Sequence, residues 1–157
     1  MKTRRRLFFA LVAASVVVLA LVAVSAVAAA TPFKGTVRAV ETSQLVFPIA
    51  SINRVGTGTA THLGKYTEHV TLQVNVLTRS STGAATFAAA NGDILTASVV
   101  GQATPTSPGV LSIVEVYTIT GGTGRFAAAT GTFTLHSTVT QATGVSTGTL
   151  SGSIVLH

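Results

Sequence analysis

From Thr31 to the carboxyl terminus the sequence keeps returning to a period of two residues, and a chain with that period is confined to sheet. His69–Val76 sets Val70, Leu72, Val74 and Val76 on one side against His69, Thr71, Gln73 and Asn75. Thr132–Thr140 opposes Phe133, Leu135 and Val139 to Thr132, Thr134, His136 and Thr138; Gly148–His157 opposes Leu150, Ile154 and Leu156 to Thr149, Ser151 and Ser153. Successive side chains of a strand point to opposite faces, so alternation over such lengths marks strands with one face buried. The only alanine-rich competitors, Ala84–Ala90 and Ala127–Ala129, are short and crowded by glycine and threonine, too little for a stable helix.

Turns mark the remaining strands. Asn91-Gly92-Asp93 separates Ala85–Ala90 from Ile94–Val100, and Asn-Gly favours the type I′ hairpin. Gly101–Gly109, with Pro105 and Pro108, reads as a loop. Val110–Thr120 is apolar on both faces, with Leu111, Ile113, Tyr117 and Ile119 on one and Val110, Val114 and Val116 on the other. That predicts an outer face covered by another subunit. Phe33–Val40 and Leu45–Arg54 supply the first two strands, and Pro48 marks the second as an edge or bent strand. The total is about eight strands at the spacing of a barrel or sandwich. A closed antiparallel barrel is expected, since closure removes edges and its small Thr, Ser, Gly and Ala residues suit curved strands. Such a barrel holds packed side chains or one small ligand.

The first thirty residues differ in kind. Lys2, Arg4, Arg5 and Arg6 precede an uncharged run, Leu7–Ala30, that ends in Ala28-Ala29-Ala30 before Thr31-Pro32. A basic start, an apolar stretch and a small-x-small end are the parts of a secretory signal peptide, with cleavage expected after Ala30. The apolar run is also long enough for a retained membrane anchor, and positive-inside orientation places the body outside in either case. Thr3–Phe8 resembles a twin-arginine signal. The expected organisation is therefore a signal peptide over 1–30 and one domain over 31–157, in a secreted or periplasmic location, membrane-associated only if the leader is kept.

Composition narrows the chemistry. There is no cysteine, which excludes disulfides, thiolate metal sites and cysteine nucleophiles. Without the four leader cations, six Lys and Arg face four Asp and Glu, a net charge of +2. Lys34, Arg38, Arg54, Lys65, Arg79 and Arg125 are scattered along the chain, so no clustered basic face points to nucleic acid. The four histidines show no metal-ligand spacing beside a carboxylate, and no Gly-x-Ser-x-Gly elbow is present. Neither a metal nor another cofactor is expected.

Gly121-Gly122-Thr123-Gly124-Arg125-Phe126-Ala127-Ala128-Ala129-Thr130-Gly131 joins two strand-like runs. A phosphate cradle would need a following helix, and a strand follows instead. The run reads as a tight corner in which Gly121, Gly122, Gly124 and Gly131 permit unusual backbone or close approach and Phe126 packs. It resembles the Gly-Gly-Thr-Gly-x-Phe motif of plant dirigent proteins and the Gly-Gly-Ser-Gly-x-Phe segment of plant allene oxide cyclases, where Gly131–His136 is similar to the cyclase strand. Thr59–Gly64 and Ala89–Leu95 resemble signatures of an uncharacterised family of exported bacterial proteins with the same barrel. The resemblance implies an eight-stranded calycin-like barrel, a homo-oligomer (a trimer in these relatives), and a hydrophobic cavity. Cyclases of this kind close an unstable epoxide with little active chemistry, and dirigent proteins steer phenoxy-radical coupling. The acidic and aromatic signatures of the plant pockets are not matched here, so no catalytic residue carries over.

Few residues are left to form a site. Glu115 shares parity with Leu111, Ile113, Tyr117 and Ile119. Turned inward, it is a desolvated carboxylate able to act as general acid or base; it can equally face outward or pair with an arginine. Tyr66 and Glu68 share parity with Val70 and Leu72, which places them on the inward side near one mouth, where they orient a polar ligand group or are simply exposed at a strand end. Arg125 in the glycine corner offers a planar fork for a carboxylate ligand or a partner for a nearby acid. The expected role is binding or guiding a small apolar or amphipathic molecule within the barrel. The alternatives are a structural or interaction protein, whose barrel is plugged by Phe33, Phe47, Phe87, Phe126 and Phe133, and a cofactor-free cyclase-like isomerase.

Overall fold

A computed structural model of the chain describes residues 28–157. The signal segment expected over 1–30, apart from its last three residues, lies outside them. The described chain is all-β: eight strands run β1 (Thr31–Val46), β2 (Ile49–Ala60), β3 (Gly64–Asn75), β4 (Ser80–Ala89), β5 (Ile94–Ser107), β6 (Val110–Gly122), β7 (Thr130–Thr140) and β8 (Val145–Val155). Each pairs antiparallel with the next, and β8 returns to β1 to close the barrel. The only helical piece among the described residues is a single 3-10 turn, Gly124–Phe126.

Because the chain runs up and down without a crossover, its hairpins divide between two ends. The β2–β3, β4–β5 and β6–β7 connections lie at one end with the start of β1 and the end of β8, since Thr31 pairs with Ile154. The β1–β2, β3–β4, β5–β6 and β7–β8 connections lie at the other. The first end is closed. Leu63, Phe126 and Ala129 are buried over it, and Thr61 ties it to the start of β1 by accepting from Lys34 N at 2.9 Å and donating to Pro32 O at 2.9 Å.

Just inside that end, Phe33, Tyr66, Phe87, Tyr117 and Phe133 fill the lumen. The Tyr117 and Phe133 rings stack at 4.6 Å and 8°, Phe33 meets Phe133 at 4.8 Å, and Phe87 touches Tyr66, Tyr117 and Phe133 edge-on or tilted. Offset and edge-to-face contacts are the stable aromatic arrangements. Phe33, Phe87 and Phe133 thus fill this part of the lumen and Phe126 is buried over its end, as the plugged-barrel alternative expects. Phe47 does not: it sits in the β1–β2 turn, 69% exposed.

The glycine corner behaves as the sequence predicts. Gly124 (φ 55°) and Gly131 (φ 135°) hold backbone conformations that L side chains avoid. A Cβ on Gly124 would also meet Asp93 Oδ1 at 1.9 Å, and one on Gly131 would meet Ser153 O at 2.3 Å. Thr123 clamps the corner to β5 through Thr123 N to Ile94 O (2.8 Å) and Ile94 N to Thr123 Oγ1 (2.9 Å).

Three boundaries differ from expectation. Strand β1 does not stop at Val40 but continues through Glu41-Thr42-Ser43-Gln44 to Val46, in register with β2. Pro48 stands in the turn rather than in a strand, so the second strand begins at Ile49. The expected loop Gly101–Gly109 is largely strand: β5 extends to Ser107, with a register irregularity between Pro105 and Ser107. These segments escape detection because at the open end both faces of a strand meet solvent, so nothing selects for alternation.

Candidate functional site: an arginine-centred carboxylate cluster beneath an open mouth

From the aromatic plug toward the open end the lumen turns polar. Arg54 on β2 points inward and is 1% exposed. It lies directly opposite Glu41 of β1 and one inward step from Glu68, which faces Gly56 across the β2–β3 pair. Glu115 of β6 comes from the far wall, opposite Gly101 of β5. A Cβ on Gly101 would lie 2.8 Å from Glu115 Cγ and 2.6 Å from Ser81 Oγ, so that glycine makes room for the carboxylate.

The guanidinium joins these strands. Its Nε donates to Glu68 Oε1 (3.0 Å), Nη1 to Glu115 Oε1 (3.2 Å) and Nη2 to Glu115 Oε2 (2.9 Å). Nη2 also donates to Tyr117 Oη, which in turn donates to Glu115 Oε2 at 2.6 Å. The fork meets Glu115 in the bidentate geometry that makes Arg–carboxylate pairs strong. Glu41 stands off: its Oε1 is 3.7 Å from Nη1, beyond hydrogen-bond reach. The cluster holds three of the chain's four acidic residues around one buried cation.

The cluster needs more donors than it has. Four of the five N–H groups of Arg54 are engaged. Among the described residues the buried side-chain polar atoms without a hydrogen-bond partner are Glu41 Oε1, Glu68 Oε2 and Ser137 Oγ, all on inward-facing positions of the barrel. Burial, opposed by Arg54 and aided by the neighbouring carboxylates, holds the Glu41 and Glu68 carboxyls above their ordinary value. The Tyr117 hydroxyl is pushed well above its ordinary value, chiefly by burial. For Arg54 burial opposes the charge, but Tyr117, Glu115 and Glu68 outweigh it and keep the guanidinium protonated.

Above the cluster the barrel opens. A chamber of about 100 Å³ rests on Glu41, Glu115 and Ser81, with Leu72 and Ile113 in its walls. It shares Glu41, Ile52 and Leu111 with a wider space of about 220 Å³ bounded by Ser43 and Val139. Outside that a mouth of about 370 Å³ lies between Leu45, Val76 and Arg79. A larger groove of about 480 Å³ along Thr57–Thr59, Lys65–Thr67 and Ala88–Ala90 has no carboxylate in its walls and does not reach the cluster.

The expected site residues sort as follows. Glu68, Glu115 and Tyr117 turn inward and meet in one network. Glu115 is both inside and paired with an arginine. Tyr66 turns inward but away from the mouth; it belongs to the aromatic plug, and its hydroxyl donates to Thr36 O at 3.1 Å. Neither Tyr66 nor Glu68 stands at a rim, because the mouth is at the opposite end of β3. Arg125 is not part of the site. It lies outside the closed end, 46% exposed, 3.6 Å from Asp93 and over the Phe126 ring. Arg54 and Glu41 are the residues sequence reasoning missed. Among the described residues no group of His, Cys, Asp and Glu has the arrangement of a metal site.

Comparison with protein-family models, with curated proteins and with solved structures finds no match for this chain.

Proposed function

We propose that the protein is an exported binding protein that holds a small amphipathic molecule in the open half of its barrel, apolar body against the mouth and polar end on the carboxylate cluster. The observation that carries this is the pairing of an aliphatic chamber with Glu41 at its floor, a carboxylate with a buried oxygen that no protein donor satisfies. Buried polar groups are nearly always hydrogen-bonded, so such a carboxylate beneath an open chamber suits a ligand that brings donors. The basic-then-apolar leader supports export, and the glycine-corner resemblance to cavity-bearing barrels supports a binding role. Native mass spectrometry of protein recovered from its host's medium or periplasm tests this. A bound species of a few hundred daltons, roughly drug-sized, is expected; a ligand-free protein that also fails to take up a neutral apolar fluorophore would rule it out.

An interaction role is favoured by a different observation. Leu45, Val46, Phe47 and Leu77 stand 60–79% exposed on the β1–β2 and β3–β4 hairpins beside the mouth, more apolar surface than solvent alone explains. A protein that elutes as a ligand-free oligomer dispersed by Phe47→Ser would favour this second reading.

A further inference from the structure

Building on the binding role proposed above, we infer that the ligand is an amine: an ammonium head seated on Glu41, carried by an aliphatic or aromatic body that fills the mouth.

Glu41 is the carboxylate that the internal network leaves over. Glu115 receives both forks of Arg54 and the Tyr117 hydroxyl, and Glu68 receives Arg54 Nε. Glu41 receives nothing within hydrogen-bond distance, yet it lines both inner chambers. Its Oε1 is buried and its side chain is 12% exposed, so solvent outside the mouth does not satisfy it.

The charge balance selects the sign of the partner. Glu41, Glu68 and Glu115 face Arg54 alone within the lumen, and Arg79 on the β3–β4 hairpin lines the chambers from the rim. Even counting Arg79, carboxylates exceed cations three to two. A carboxylate or phosphate ligand would add negative charge and acceptors to a layer already short of donors. An ammonium group brings three N–H donors and one positive charge and accepts nothing. A hydroxyl brings a donor without the charge. Charge-assisted hydrogen bonds are about twice as strong as neutral ones, so the amine is expected to bind about tenfold more tightly than the matching alcohol.

The walls set the body of the ligand. Ile52, Leu72, Ile113, Leu111 and Val139 supply aliphatic surface above Glu41, and the chamber widens outward, so a linear or singly branched chain enters head first.

Calorimetric titration of the full-length exported protein with octylamine, octanol and octanoate tests this, with Glu41→Gln and Leu111→Trp as variants. Glu41→Gln keeps shape and removes the carboxylate that Arg54 holds least closely, at 3.7 Å, so the variant is expected to fold. The inference expects octylamine to bind about tenfold tighter than octanol and Glu41→Gln to erase that preference while octanol binding persists. Equal binding of amine and alcohol, with Glu41→Gln without effect, would overturn the amine and leave the pocket standing, its oxygens satisfied by water. Octanoate binding best would also overturn it and point to Arg79. If none binds and Leu111→Trp changes nothing, the binding role itself fails. Should Glu41→Gln not fold, the order of the three probes on the unaltered protein decides alone.

Discussion

The two halves of this barrel use the same strands and opposite interiors. Toward the closed end the inward positions carry rings that touch one another and leave no chamber. Toward the open end they carry Ile52, Leu72, Ile113 and Val139, which face one another across space. Between them lies the cluster about Arg54. The difference shows a division of labour. The aromatic half supplies a contiguous buried core, while the other half stays hollow. A buried ion cluster is costly by itself, since desolvation offsets most of the attraction between its members.

The sharpest way to break the contrast is to remove its hinge. Arg54→Ala leaves three carboxylates in the lumen without their cation and is expected to cost about 3–5 kcal/mol at neutral pH, read as a lowered urea midpoint. Phe133→Ala in the plug is expected to cost a similar amount, about 3–5 kcal/mol. The two differ in their response to acid. The Arg54→Ala deficit shrinks as the stranded carboxylates take up protons, whereas the Phe133→Ala deficit does not. Parallel pH profiles for both variants would show that the cluster is not an electrostatic unit.

Gly101→Val probes the boundary more gently. Its side chain would collide with Glu115 Cγ and Ser81 Oγ, so a loss of about 1–3 kcal/mol is expected together with weakened ligand binding. An unchanged melting temperature would mean that the carboxylate moves aside freely.

Acidity acts on the unaltered protein in a stated direction. Burial holds the Glu41 and Glu68 carboxyls above their ordinary value of 4.5, so the folded chain binds these protons more readily than the unfolded chain. The resulting stabilisation is complete below that ordinary value and is lost as pH rises through the folded value. The urea midpoint is therefore expected to fall as pH rises from that ordinary value toward neutrality, and Glu68→Gln to flatten the slope. A midpoint that climbs over that range would show that ionised, paired carboxylates dominate instead. The smallest effect is expected at the mouth. Leu111→Ala should change stability by about 1 kcal/mol or less while reducing uptake of an apolar probe, separating the hollow half's role from that of the plug.

What could be read from the sequence follows the same division. Strands β3, β7 and β8 alternate visibly because one face of each packs inward and the other meets solvent. Val70, Leu72, Phe133, Leu135, Leu150 and Ile154 were legible as core on that ground alone. The glycine corner was legible because its neighbours leave no room for a Cβ. Glu115, Glu68 and Tyr117 were legible through parity with apolar neighbours. Glu41 was hidden because Glu41-Thr42-Ser43-Gln44 is polar on both faces and reads as the end of a strand, although the backbone pairs on to Val46. Arg54 was hidden because β2 intersperses Ile49, Ile52 and Val55 without a consistent period, so an inward arginine leaves no local trace. Its role depends on β1, β3 and β6 converging on it, and that convergence belongs to the closed barrel. Phe47 was misplaced for the converse reason: an aromatic side chain in a turn looks like core until the turn is located.

The start of β1 and the end of β8 lie at the plugged pole, where Thr31 meets Ile154, and the four hairpins around the mouth are uninterrupted chain. Any tether attached through either terminus therefore holds the barrel by its base, with its opening turned away from the support. On a cell surface the cup would face the surroundings rather than the bilayer, and on a sensor chip a terminal tag would leave it clear for sampling.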